Sequence, residues 1–177
     1  MNERQYEAVR KAETLGGKLL DVIDLHTHFF TPEGVVRALN GVDLSLGKAR
    51  TLGIVGESGC GKTVLALTIL RLIPQPPGKI IKGSVLFEGV DLLGLDDNGI
   101  RDIRGNKISM IFQEPMTSLN PVFTIGYQIE EAIRLHQPER AATRKQARDM
   151  AVSMLDLVGI PDALRRIDDY PHQMSGG

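Results

Sequence analysis

The sequence predicts an α/β fold: a mainly parallel sheet with a glycine-rich strand-to-helix loop, an antiparallel β piece before it and part of a helical subdomain after it. Three observations carry that expectation. A nearly uninterrupted apolar run, Thr51 to Val55, feeds into the octapeptide GESGCGKT at 56–63, whose Thr63 opens the helix-forming stretch TVLALTILRLI. Short β-branched stretches and alternating apolar residues occupy the chain before that unit. From Thr124 onward the apolar spacing changes to threes and fours, the period of an amphipathic helix.

At 177 residues the chain has room for one domain with a sizeable core and not comfortably for two. Its 42% hydrophobic and 24% charged residues are the composition of a folded domain. A net charge of -1, from 21 basic and 22 acidic side chains, supplies no long-range attraction to nucleic acid or anionic lipid, so no nucleic-acid partner is expected. Aromatic residues are 5% with no Trp, which argues against a base-stacking surface. Cys60, the single cysteine, excludes an internal disulfide and any cysteine-rich metal site, and fits a reducing compartment. No stretch approaches the roughly eighteen apolar residues of a membrane span. The first residues do not read as a signal peptide, so any membrane association is expected to come through a partner.

The elements follow in order. Residues 1–18 read as a tail or a short helix, with Gly16-Gly17 as a breaker. Leu19 to Phe30 suggests the first strand, closed by a turn at Thr31-Pro32-Glu33-Gly34. Val35 and Val36 lead into a second strand, and the alternation Val42, Leu44, Leu46 suggests a third. Thr51 to Val55 fits a strand buried on both faces of a parallel sheet. The helix after it should be largely buried through Val64, Leu65, Leu67, Ile69, Leu72 and Ile73, and end at Pro74, Pro76 and Pro77. Ser84 to Phe87 is a short strand, Ile100 to Arg104 a helical turn or two, and Lys107 to Phe112 another strand. Ile125, Ile129 and Ile133 mark one helical face, and Ala147, Met150, Met154 and Leu157 a second. Gly159-Ile160-Pro161 ends that helix, and a short one through Leu164 and Ile167 follows.

Gly56, four intervening residues, Gly61, Lys62 and Thr63 match the phosphate-loop pattern Gly-x4-Gly-Lys-Ser/Thr. Glycines let such a loop curl so that successive N–H groups point inward at phosphate oxygens, beside the positive end of the next helix. Glu57, Ser58, Gly59 and Cys60 complete the loop; Lys62 can reach the β- and γ-phosphates, and Thr63 can offer its hydroxyl to Mg2+. The pattern falls between a strand and a helix, where the chemistry needs it, and gives a P-loop nucleoside triphosphate hydrolase-like sheet. The competing reading is a glycine-rich turn with Lys62 merely solvated. Cys60 has no histidine nearby in sequence and reads as a small tolerated side chain, not a nucleophile.

A rival constellation is Asp24-Leu25-His26-Thr27-His28, two histidines on one face of a strand. Two imidazoles are too few ligands for a catalytic metal, so the expectation is an edge strand with two exposed histidines.

With these residues in place, the chain resembles the ATP-binding cassette (ABC) family, and within it the ATP-binding subunits of dipeptide and oligopeptide importers. VGESGCGKT at 55–63 resembles that family's phosphate loop, IFQEPMTSLNPVFTIGYQI at 111–129 its glutamine loop, and YPHQMSGG at 170–177 the opening of its signature motif. The resemblance implies a nucleotide-binding core over 19–115 and a partial helical subdomain over 116–177, ending at the start of the signature. It implies ATP and Mg2+ as cofactors, with Lys62 on the phosphates, Thr63 and Gln113 at the metal, and Gln113 near the attacking water. Ser175, Gly176 and Gly177 would serve the opposite subunit's nucleotide. Phe29, with Phe30 next, is the best match to the aromatic that stacks on adenine; both also fit ordinary core.

The resemblance further implies transmembrane permease subunits and a second ATP-binding subunit, homo- or heterodimeric, as partners, with a solute-binding protein involved indirectly. The subunit would sit on the cytoplasmic side of the cell membrane, peripheral through the permease. The intact relative would couple ATP hydrolysis to peptide import. In this reading the chain stops inside the signature motif, before the family's second Mg2+-binding acid, its catalytic glutamate and its switch histidine. The alternative is a nucleotide-binding or regulatory module that does not hydrolyse. An independent phosphate-loop kinase or GTPase has no acceptor-site or guanine-reading motif to support it.

Overall fold

A computed structural model describes residues 17–112 and 118–174 of the chain. The chain divides into two compact units, Met1–Ile108 and Ser109–Gly177. The tail or helix expected over 1–18 lies almost wholly outside the described residues.

In the first unit, β1 (Lys18–Thr31) and β2 (Gly34–Gly47) form a long antiparallel hairpin across the expected turn at Pro32-Glu33. β3 (Gly78–Phe87) pairs antiparallel with the other edge of β1, and the short β4 (Val90–Asp91) completes a four-stranded sheet in the order β2-β1-β3-β4. The β1–β2 hairpin is the antiparallel piece expected before the phosphate loop. β3 and β4 come after that loop, and every strand pair of this sheet is antiparallel, where a mainly parallel sheet was expected. The helix α1 (Lys62–Ile69) and a second one, α2 (Asp97–Ile103), complete the unit. The α2 N-terminus is capped by the Asp96 carboxylate, which accepts the Gly99 N–H at 2.8 Å. Val22, Leu25, Leu39, Leu65, Val85, Phe87, Leu92 and Ile100 form one core cluster. Each such side chain contributes about 1.5–3 kcal/mol by leaving water.

Several expected elements differ. The two strands expected over 35–46 are one strand, β2, which absorbs its irregularities as register shifts against β1 without breaking. Thr51 to Val55 and Lys107 to Phe112 are not strands. Val55 is 94% exposed and Ile111 92%, and among the described residues no ladder forms on either run apart from a single bridge between Arg104 and Ile108. An apolar run specifies the environment a strand needs, but only a hydrogen-bonded neighbour makes it a strand. The α1 helix stops at Ile69, before the prolines, and Arg71 takes a positive φ of 52°. The Arg104 side chain donates to Leu70 O and Arg71 O, both at 2.8 Å, satisfying carbonyls at the helix end.

The second unit is helical, with α3 (Ile125–His136), α4 (Arg144–Leu157), α5 (Ala163–Arg166) and a 3-10 turn at Pro171–Gln173. Thr124 caps α3, and Thr143 with Gln146 forms a capping box on α4. Its core gathers Ile125, Ile133, Ala141, Ala147, Ala151, Leu155, Ala163 and Ile167. The buried face of α4 is therefore Ala147, Ala151 and Leu155; the expected Met154 and Leu157 are 45% and 80% exposed. Alanines at a four-residue spacing let neighbouring elements approach closely, and this small-residue face outcompetes the larger side chains beside it. Leu164 is likewise exposed while Ile167 is buried. Glu130, only 6% exposed, sits 3.8 Å from both Arg144 and Arg148.

Candidate functional site

The loop 56–61 is exposed to half-buried and ends in Gly61, the N-cap of α1. Gly61 has φ 97°, and a Cβ there would lie 2.7 Å from Ala38 O. Only glycine satisfies both the left-handed turn and the close passage over β2. That N-cap supplies no side-chain acceptor, so the first N–H groups of α1 remain for an external anion, reinforced by the helix dipole.

Lys62 sets the loop's electrostatics. Its Nζ donates to Gly56 O and Glu57 O, both at 2.7 Å, and lies 3.4 Å from Cys60 Sγ. An ammonium has three N–H donors. Two are fixed on carbonyls across the loop mouth, and the third meets a thiol, the weakest acceptor of the three. A phosphate oxygen is a far stronger partner and would displace it. Thr63, the next helical residue, is exposed.

The helix carrying this loop is fastened to β1 by Thr68, whose Oγ1 lies 3.2 Å from that of Thr27, both fully buried. Neither threonine, nor the Ala38–Leu39 backbone behind Gly61, stood out in the sequence. They contribute through contacts between distant segments, which leave no local pattern.

Phe29 is half-buried and pairs with Val36 and Gly78, and its Cε1 lies 3.0 Å from where a Gly78 Cβ would stand. Phe30 is exposed. Gln113, Ser175, Gly176 and Gly177 lie outside the described residues.

The histidine pair does not lie exposed on an edge strand, as its sequence suggested. β1 is an interior strand, not an edge, and both imidazoles are half-buried. His26 Nε2 bonds Asp24 Oδ1 at 2.8 Å, Lys82 donates to Asp24 Oδ2 at 2.7 Å, and His28 Nε2 is buried without a hydrogen-bond partner. Among the described residues no group of three His, Cys, Asp or Glu side chains is placed to hold a metal. No helix of the described residues is long and apolar enough to cross a membrane.

A curled loop at a helix N-terminus, with a carbonyl-anchored lysine, defines a phosphate-loop protein of the α/β class. Within that class the chain belongs to the ABC transporter family, whose model, described as "ABC transporter", matches residues 39–177. It is 53% identical over 159 residues to a probable peptide ABC transporter ATP-binding protein, y4tR, of Sinorhizobium fredii, covering 90% of this chain and 47% of that one. It is 49% identical over 160 residues to the dipeptide transport ATP-binding protein DppD of Bacillus subtilis, again covering 90% and 47%. The chain spans about half the length of the curated relatives it matches. Its fold is similar to the dimeric structure of MJ0796, a bacterial ABC transporter cassette, with a TM-score of 0.75 at 24% identity over 89% of this chain and 63% of that one. A post-hydrolysis state of that cassette bound to ADP and Pi matches with a TM-score of 0.74 at the same identity and coverage.

Proposed function

We propose that residues 56–63 bind the triphosphate of MgATP, and that the chain serves, within an ATP-binding subunit of a peptide importer, to couple ATP hydrolysis to transport. The observation that carries this reading is the Lys62 ammonium, held by two carbonyls at 2.7 Å over a helix N-terminus that has no side-chain cap. A fixed cation beside unsatisfied N–H groups is an anion site whose affinity rises with phosphate charge. Thr63 fits one of the few protein oxygens that Mg2+ takes in such sites, water and phosphate oxygens filling most of the other positions. The metal would neutralise charge on the transferring phosphoryl group.

Gln113 is proposed to touch the metal shell and the attacking water. A neutral amide can engage and release that shell without stranding a charge. Phe29 is proposed to stack on adenine, and Ser175, Gly176 and Gly177 to complete the site of a second ATP-binding subunit. Permease partners and a peripheral place on the cytoplasmic side of the membrane belong to the same proposal, which is supported by relatives named as peptide or dipeptide transport ATP-binding proteins. Competition of ATP, ADP and AMP against a fluorescent ATP analogue, with and without Mg2+, tests the reading. Affinity should fall in that order, and equal affinity for all three would contradict it. Phosphate release on the same samples separates an ATPase from a module that only binds.

A further inference from the structure

The first turn of α3 holds two other stretches of its unit at once. On one side, Gln128 binds the loop that enters the helix. Its Oε1 accepts the Asn120 N–H at 2.8 Å, and its Nε2 donates to Asn120 O at 3.0 Å and Phe123 O at 3.1 Å. On the other side, the N–H groups of Ile125 and Gly126 donate to Asp169 O at 2.9 Å and Ile167 O at 2.7 Å. Those donors open the helix and have no acceptor within it, so the returning chain caps α3 through its own backbone. Gly126 makes the approach possible, because a Cβ there would lie 2.7 Å from Ile167 O. Ile167 is fully buried, and Arg148 grips Asp168 of the same stretch at 2.9 and 2.7 Å.

We propose that residues 125–128 form a clasp that makes the loop 118–124 and the segment 167–174 move as one body, with Gln128 and Gly126 as its positioning residues. Residues 118–123 are exposed, so little buried surface holds the loop. Besides the Val122 N–H bond to Asn120 Oδ1 within the loop and the stack of Phe123 on Tyr127 of the same helical turn, Gln128 supplies its side-chain anchor to α3. For its functional meaning the clasp rests on the reading above. There the loop follows Gln113 in sequence and the segment leads into Ser175, so a displacement felt at one is delivered to the other.

Amide hydrogen exchange on the whole chain, alongside ATP affinity, tests the clasp. Gln128→Leu removes every polar contact of the side chain. Exchange should rise on the order of tenfold at 120–124 and, with it, at Ile125, Gly126 and 168–170, while ATP affinity is unchanged. Gln128→Glu adds a pH readout, because a carboxylate cannot donate to the loop carbonyls whereas a carboxylic acid can. Protection at both stretches should recover together as pH falls through the carboxyl range, measured against the unsubstituted chain at each pH. If Gln128→Leu unfolds the unit, Gln128→Glu decides alone. A rise confined to 120–124, with 167–170 as protected as before, overturns the clasp. Absence of ATP binding in every form, the unsubstituted chain included, counts against the nucleotide reading and leaves the exchange result standing.

Discussion

The hydroxyls of Thr27 on β1 and Thr68 on α1 meet at 3.2 Å in the core, and their proton order is fixed by a third group. Thr68 Oγ1 donates its only hydrogen to Val64 O at 2.7 Å, so Thr27 is the donor between the two. The helix that carries the phosphate loop is thereby bonded to the central strand beneath it.

An asymmetry in stability follows. Thr27→Val removes a donor and leaves Thr68 still donating, at a cost of about 1 kcal/mol. Thr68→Val strands the Thr27 hydroxyl in a dry site and should cost about 2–3 kcal/mol. The double variant should cost less than the sum of the two. Urea unfolding of the three variants measures all of this, and equal single costs would contradict the proton order.

Asp24 gives a pH signature. The Lys82 ammonium first, and then the His26 ring, hold its carboxyl below the usual carboxylate range. A group with a depressed folded pKa contributes stability above its unfolded value of about 3.9, and loses it as pH falls through the folded value. Asp24 has φ 46°, a conformation asparagine tolerates, so Asp24→Asn changes charge with little backbone strain. The melting temperature of Asp24→Asn should lie below that of the unsubstituted chain at neutral pH, and the gap should close below about pH 4. A gap of constant size down to pH 3 would show that the ion pairs do not supply it.

The exposed apolar runs predict self-association. Val55 and Ile111 are 94% and 92% exposed, so Val55→Lys or Ile111→Lys should change folding stability by no more than about 0.5 kcal/mol. Sedimentation velocity should nonetheless show less association in either variant, because a charge on an exposed apolar strand-former discourages pairing between chains. Unchanged association would locate the sticky surface elsewhere.

What the sequence made legible was what is local. The helix start at Lys62 after the glycine-rich loop, the turn at Pro32-Glu33, the Ile125-Ile129-Ile133 face and the Gly159 break are each set by neighbours within a few residues. Each appears where the pattern put it, although the strand expected before the loop does not form. Thr51 to Val55 misled because its composition describes a strand in a filled sheet, and strand formation depends on partners the run does not contain. Met154 outweighed Ala151 on hydrophobicity, yet close packing favoured the smaller side chain. The Ala38 carbonyl behind Gly61, the threonine bond and the Arg104 cap on α1 join positions 23 to 41 residues apart, and no periodicity announces them.

The most direct measurement is an ATP titration, by fluorescence or calorimetry, of the chain and of Lys62→Ala at millimolar Mg2+. Lys62 is half-exposed and bonds only the loop, so its truncation should leave the thermal unfolding of the chain nearly intact. Triphosphate affinity should fall at least about tenfold, the effect of losing one charge-assisted bond or more. Equal affinity in two equally folded proteins would contradict a nucleotide site at residues 56–63.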